Sequence, residues 1–203
     1  MSSAKPSPIR REDSLPTSEL LARYALGERE FKGIKLQDGD LAGACLAGID
    51  LSRSQLSGVN LAQAHLQNAN LSEANLAGAN LSQANLFGAF LSGANLQEAC
   101  LLKANLTEAD LSGATMVSAN LSDALLHLTC LSEADLQSTD LTGARMCGAR
   151  LWKANLADAN LRGADLADVN LCEANLCGAN LEAADISEAV LTGATMPPGN
   201  LHD

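Results

Sequence analysis

From Phe31 to Leu201 every fifth residue is large and apolar, without a slip in register. Of these 35 positions 30 are Leu, the others being Phe31, Met116, Met146, Ile186 and Met196. Two residues before each such centre Ala stands at 25 of the 35 positions, and one residue before it Asn or Asp stands at 21. Two residues after it Gly stands at 13, which takes most of the 16 glycines. A period of five suits neither a helix nor a simple strand. On an α-helix successive centres would fall roughly 140° apart and scatter around the axis, and each interior Gly would cost about 1 kcal/mol. In extended backbone the Ala and the centre, two apart, point the same way. The two residues after the centre must then turn a corner, and Gly at the second suits a type II turn, whose third residue needs φ > 0. The pattern predicts a very short strand plus a turn, repeated along the chain.

Runs such as Ala69-Asn70-Leu71-Ser72-Glu73-Ala74-Asn75-Leu76-Ala77-Gly78 resemble the A(N/D)LXX motif of pentapeptide-repeat proteins, and the resemblance covers residues 29–201. It implies an all-β solenoid: a right-handed quadrilateral β-helix with four repeats per coil, about nine coils and a rod roughly 40 Å long at ~4.8 Å per coil. Packing physics agrees, since Leu and Ala would stack on their copies one coil away and fill a narrow interior. Neighbouring coils would also satisfy each other's backbone groups, as in other solenoids.

Terminal coils of a solenoid carry open edges and need covers. Residues 1–15 are polar, with Pro6, Pro8, Arg10 and Arg11, and read as a disordered tail. Residues 16–30 read as an N-terminal capping helix, with Thr17 or Ser18 as its cap, Leu20, Leu21 and Tyr24 as its apolar face, and Gly27 near its end. Residues 31–203 form the repeat domain, where Pro197 and Pro198 are expected to blunt the last edge. No helix follows the repeats. Family members that confer fluoroquinolone resistance dimerise through such an element, so a monomer is expected. The two ends, ELLARYALGEREFKGIKL and MPPGNLHD, resemble cyanobacterial members, which implies a role in heterocyst-type regulation.

Aromatics make up only 2% of the chain against 47% hydrophobic residues, so the interior is Leu and Ala. That leaves Phe87, Phe90 and Trp152 outside, because Tyr24 and Phe31 belong to the cap and first coil. The net charge of −11 disfavours direct binding of nucleic acid by phosphate neutralisation. No apolar run of membrane-spanning length occurs, and the N-terminus lacks the apolar core of a secretory signal. Cys45, Cys100, Cys130, Cys147, Cys172 and Cys177 all flank a centre, and no two are 20 apart. Disulfides are therefore not expected, and a cytoplasmic location is. His65, His127 and His202 are scattered, and no phosphate-loop, nucleophile-elbow or zinc-protease string occurs. The expectation is a protein that is not an enzyme and needs no cofactor or metal.

Function should then lie in departures from the repeat on outward positions. Phe87, Phe90, Leu125, His127, Leu128, Arg145, Arg150 and Trp152 map to two adjacent sides of the middle coils. Aromatics and Arg are common interface anchors. Two readings stay open: a docking patch for an unknown protein partner, or a degenerate coil, ALLHLTC, that tolerates larger side chains. Acidic residues gather later, with Asp165, Asp168, Asp185 and Glu188 on one side and residues 154–203 carrying net −7. Some family members resemble duplex DNA in shape and charge and occupy DNA gyrase. A ~40 Å duplex carries roughly 24 phosphates, well above the net −13 of residues 36–203. The first expectation is thus a non-enzymatic interaction rod, with a DNA mimic that binds gyrase or another topoisomerase, and a structural spacer, as alternatives.

Overall fold

The repeat closes on itself every 20 residues. A computed structural model describes residues 14–36 and 39–197, and isolated parallel bridges join each position to the one 20 further on, from Glu30–Asp50 to Asn175–Thr195. They fall at every fifth residue, so each coil has four sides. The earlier part of the expected tail, and Pro198 and His202 at the other end, lie outside the described residues.

Backbone hydrogen bonding explains why the unit is five residues long. In the repeat from Leu71 to Asn75, the amides of Leu71 and Glu73 donate forward to Phe90 O (2.7 Å) and Ser92 O (2.9 Å). The Asn75 amide donates backward to Ser54 O at 2.9 Å, and the Ala74 amide closes the turn onto Leu71 O at 3.0 Å. The fifth amide, that of Ser72, has no backbone acceptor and donates instead to Asn70 Oδ1 at 3.1 Å. All 20 Asn and Asp at this register position in the described chain accept the amide two residues on in the same way. Their Nδ2 groups often donate to the side chain one coil back, as Asn95 does to Asn75 at 3.2 Å. The outward Asn/Asp is therefore structural: it completes the backbone's hydrogen bonding.

The turns have the expected form, with φ > 0 at the second residue after each centre. Glycines such as Gly43 (φ 66°) take it freely, but 19 non-glycine residues hold it as well. Inside, the centres are buried from Phe31 to Leu176, together with the Ala that precede them except the partly buried Ala44. Where Ser54, Thr129 or Thr139 replaces Ala, its hydroxyl donates to the carbonyl 23 residues back (Phe31, Leu106 and Met116), which satisfies a buried polar group. Past Leu176 the cover thins: Leu181, Leu191 and Met196 are partly buried and Ile186 is 39% exposed.

At the N-terminal end, strand β1 (Ser14–Leu15) pairs in parallel with β2 (Lys35–Leu36). Ser14 and Leu15 thus belong to the ordered body, not to the tail that their polar neighbours suggested, because Leu15 is buried. Helix α1 spans Thr17–Ala25, shorter than the expected 16–30. It starts from Pro16, whose carbonyl accepts the Glu19 and Leu20 amides, so Thr17 is already inside the helix rather than its cap. Gly27, at φ 95°, ends it: its amide bonds Tyr24 O and the Glu28 amide bonds Arg23 O, a Schellman arrangement.

The helix's inward face differs from the expected one. Leu20 is buried and Tyr24 half-buried, its hydroxyl donating to Ala47 O at 2.8 Å, whereas Leu21 is exposed. Arg23 is buried in its place, its guanidinium bound by both oxygens of Glu28 at 2.7 and 2.8 Å. That carboxylate, against the opposing effect of burial, holds Arg23 even more firmly charged than usual.

The fifth-amide bond makes a direct prediction at Asn75, which accepts from Ala77 N and from Asn95 Nδ2 and donates to Gln55. Asn75→Ala should lower unfolding stability by about 1–2 kcal/mol, read from the urea midpoint. Asn75→Asp keeps the acceptor and should cost less; equal losses would show that the amide bond is not the stabilising contact.

Candidate functional site

The 20-residue register decides which outward residues are neighbours. Leu125, Arg145, Asp165 and Asp185 follow one another on one side of the rod. Phe90, Asp110, Cys130, Arg150 and Asn170 follow one another on the next side. The corner between these sides carries Phe87, His127 and Cys147 in one column and Leu128 and Gly148 in the adjoining one, while Trp152 stands at the far corner of the second side. The candidate residues thus lie on adjoining sides. Phe87 and Phe90 stand two coils before the rest, with one coil between, because Thr107 separates Phe87 from His127 and Asp110 separates Phe90 from Cys130.

Exposure separates anchors from supports. Phe90 is 52% and Leu128 55% exposed, and Phe87 and Trp152 are each 37% exposed. Leu125 and His127 are half-buried, and Arg145 and Arg150 are exposed. Trp152 is steadied by its indole N–H on Glu173 (3.4 Å) and by the Lys153 ammonium over its ring at 4.3 Å.

These departures lose local bonding. Phe90, Leu125, Arg145 and Arg150 occupy the Asn/Asp position, so the amides of Ser92, His127, Cys147 and Trp152 find no acceptor among the described residues, as happens also at Ala47, Ser57, Gln67, Leu102, Val117 and Thr192 elsewhere on the rod. Leu128 is stranger still: at φ 57° it is the only large apolar side chain among the 19 non-glycine residues in the left-handed region. That conformation costs an L-residue roughly 1–2 kcal/mol, and an exposed leucine regains little of it by burial. Its Cδ2 lies over Gly148, 2.9 Å from where a Cβ would stand, so the glycine makes room for it. Leu128's backbone was not legible from hydropathy, although its place two residues after a centre carried the signal.

Cys130 is a member of this surface that the candidate set omitted. Its Sγ lies 3.0 Å from Ser112 Oγ and 3.6 Å from Ser132 Oγ. Burial pushes the thiol up, but the Ser112 hydroxyl, the Ser132 amide and hydroxyl and the Arg150 guanidinium together hold it below its ordinary value. Here sulfur stands where the repeat has a carboxylate or amide oxygen.

The acidic residues divide between two roles. Asp165 and Asp185 stack on one side, and each uses Oδ1 to accept the amide two residues on. Ser187, through its amide and then its hydroxyl, holds the Asp185 carboxyl below the usual range. Asp168 and Glu188 sit at the adjoining corner, exposed, at φ 57° and 55°. Near the N-terminal end an open groove of about 580 Å³ is lined by Lys32, Lys35, Arg53 and Glu73 among others. Its charges are largely matched, Lys32 by Glu30 and Asp50 and Arg53 by Glu73. Among the described residues no three His, Cys, Asp or Glu side chains form a metal-binding group, and no helix is long and apolar enough to cross a membrane. The six cysteines are free thiols.

The Cys130 environment predicts selective alkylation. At neutral pH iodoacetamide should label Cys130 faster in the native chain than in Ser112→Ala, by several-fold in the mass-spectrometric rate. An unchanged rate would mean that the hydroxyl does not stabilise the thiolate.

Comparison with known proteins agrees with this geometry. No curated protein sequence matches the chain. Among solved structures, QnrB1, a plasmid-mediated fluoroquinolone resistance protein, is 20% identical over 85% of this chain and 86% of its own, with a TM-score of 0.62, a likeness of fold. HetL, a pentapeptide repeat protein involved in heterocyst differentiation regulation from the cyanobacterium Nostoc sp. strain PCC 7120, is 34% identical over 93% of this chain and all of its own, with a TM-score of 0.31. Rfr23, a pentapeptide repeat protein from the cyanobacterium Cyanothece 51142, is 38% identical over 48% of this chain and 63% of its own, with a TM-score of 0.33. The family model for pentapeptide repeats matches residues 54–93, 91–127, 129–166 and 154–193. The chain, built of five-residue units bridged at intervals of 20, belongs to the pentapeptide repeat family.

Proposed function

We propose that this protein is a non-enzymatic interaction rod, about nine coils long and closed at its N-terminal end by α1, that captures a protein partner on the patch from Phe87 to Trp152. The observation that carries the reading is Leu128, strained at φ 57° and 55% exposed where Gly or a polar residue is the rule. A chain that tolerated irregularity only for packing would bury that leucine. Instead the strained, exposed Leu128 stands on the same surface as Phe90, Trp152, Arg145 and Arg150, a grouping expected of a functional site. The setting that fits the cyanobacterial character of the sequence is regulation of the heterocyst type, in the cytoplasm, by a monomer.

A second reading has its own observation, the exposed Asp168 and Glu188 beyond the patch. As a DNA mimic the rod would place these before gyrase or another topoisomerase. Two of the four acids, Asp165 and Asp185, already serve the backbone, which favours the patch over the mimic. A rod acting as a spacer would use neither surface.

Leu125→Asp with Leu128→Asp should leave the unfolding midpoint nearly unchanged and abolish capture of the native partner in lysate pull-downs. Leu128→Gly, which relieves the left-handed strain, should stabilise the chain by about 1 kcal/mol and still weaken capture. A partner held equally by all three proteins would remove the patch from consideration.

The mimic makes the opposite forecast for a gyrase supercoiling assay. On the patch reading, micromolar protein neither inhibits nor protects the enzyme; inhibition lost on charge reversal of Asp168 and Glu188 would favour the mimic.

A further inference from the structure

The chemistry of the partner is written in the charges that the patch leaves unmatched. Ion pairs engage Arg23, Lys32, Arg53, Lys103, Lys153 and Arg162, and the last four each use a carboxylate one coil on. Arg145 and Arg150, like Arg29 and Lys35 at the N-terminal end, depart from this habit: both are exposed, and neither makes an ion pair among the described residues. Asp165 stands one coil on from Arg145, with Oδ1 on the Ala167 amide, and makes no ion pair with it. Arg150 is followed by the neutral Asn170. In a chain of net charge −11, two neighbouring guanidiniums without a carboxylate partner among the described residues form a local basic spot, Arg150 also meeting the Cys130 thiol.

The spot has a fixed place in a sequence of surfaces along the rod. Phe87 and Phe90 come first, then Leu125 and Leu128, then Arg145 and Arg150 with Trp152 beside them, and finally the acids Asp165, Asp168, Asp185 and Glu188. From Phe87 to Cys147 is three coils, about 14 Å, the length of roughly nine residues of α-helix. Glu108 and Asp110 lie in the intervening coil, with Asp110 Oδ1 occupied by the Ser112 amide.

We propose that the patch binds a short acidic and apolar segment of a partner protein, its carboxylates paired with Arg145 and Arg150 and its large apolar side chains set against Phe87, Phe90, Leu128 and Trp152. The segment lies along the rod axis in one direction, because the acids beyond Arg145 repel a carboxylate placed further on. Planar guanidiniums favour two-point contact with carboxylates, and the flanking apolar side chains exclude water and strengthen each pair. This rests on the reading of the patch as the docking surface.

A randomised short-peptide library displayed on phage and selected on the full chain, without counter-selection, tests the class, each selected peptide then being measured against the Leu125→Asp, Leu128→Asp variant. Selected peptides are resynthesised and their affinities read by fluorescence anisotropy. The expected peptides are net acidic with large apolar residues, weaken about tenfold or more against Arg145→Glu, Arg150→Glu, and weaken with added salt. Changing their acids to Lys should restore binding to that charge-reversed variant. Neutral or basic peptides that lose binding in the leucine variant but not in the arginine variant would overturn the acidic class and keep the patch. Peptides indifferent to both variants would overturn the patch and the class together.

Discussion

Everything in this molecule depends on the hydrogen-bonded ladder that ties each residue to the one 20 positions away. Two amides of each five donate forward, one donates backward and one closes the turn, so an insertion of a single residue would misalign every later bridge. The interior left by such tight coils admits only a large aliphatic side chain and a small one, which is why Leu and Ala recur. The fifth amide needs a side-chain oxygen, which is why Asn and Asp recur outside. Inside and outside are therefore both prescribed by the same backbone, and a free choice of residue is rare.

That constraint explains what could be read in advance. Period five with Leu centres led to the solenoid, and the centres are buried through Leu176. The scarcity of rings led to Phe87, Phe90 and Trp152 lying outside, as they do. The role of Asn70 and its copies was not legible from spacing, because their bond to the amide two residues on exists only once the corner has formed. The exposure of Leu21 was hidden for a different reason. Hydropathy favours burying it, but Arg23, neutralised by Glu28, takes the inward place. Leu15, isolated in a polar stretch, was misassigned to the tail because its partner, Leu36, lies 21 residues away.

The same constraint turns departures into information. At Phe90, Leu125, Arg145 and Arg150 the chain gives up a side-chain acceptor worth about 1 kcal/mol each, and at Leu128 it holds a leucine in a conformation made for glycine. The acceptor is lost at other places along the rod as well, but the large exposed side chains Phe90, Leu128 and Trp152 and the guanidiniums of Arg145 and Arg150 fall on adjoining sides. A rigid surface that carries them in register can present anchors to a partner with little further ordering. The groove near Lys32 and the acidic columns lack this property, since most of their charges already serve neighbours.

Three of the amides left without acceptors lie within the patch and give a direct test of whether a partner sits there. In amide hydrogen exchange on the free chain, those of His127, Cys147 and Trp152 should exchange quickly, while the equivalent Ser72 amide, held by Asn70, exchanges slowly. With the native partner bound, His127, Cys147 and Trp152 should become protected together with Phe87 and Leu128. Protection confined instead to the coils of Asp168 and Glu188, with His127 and Trp152 unchanged, would contradict the assignment of the patch as the docking surface.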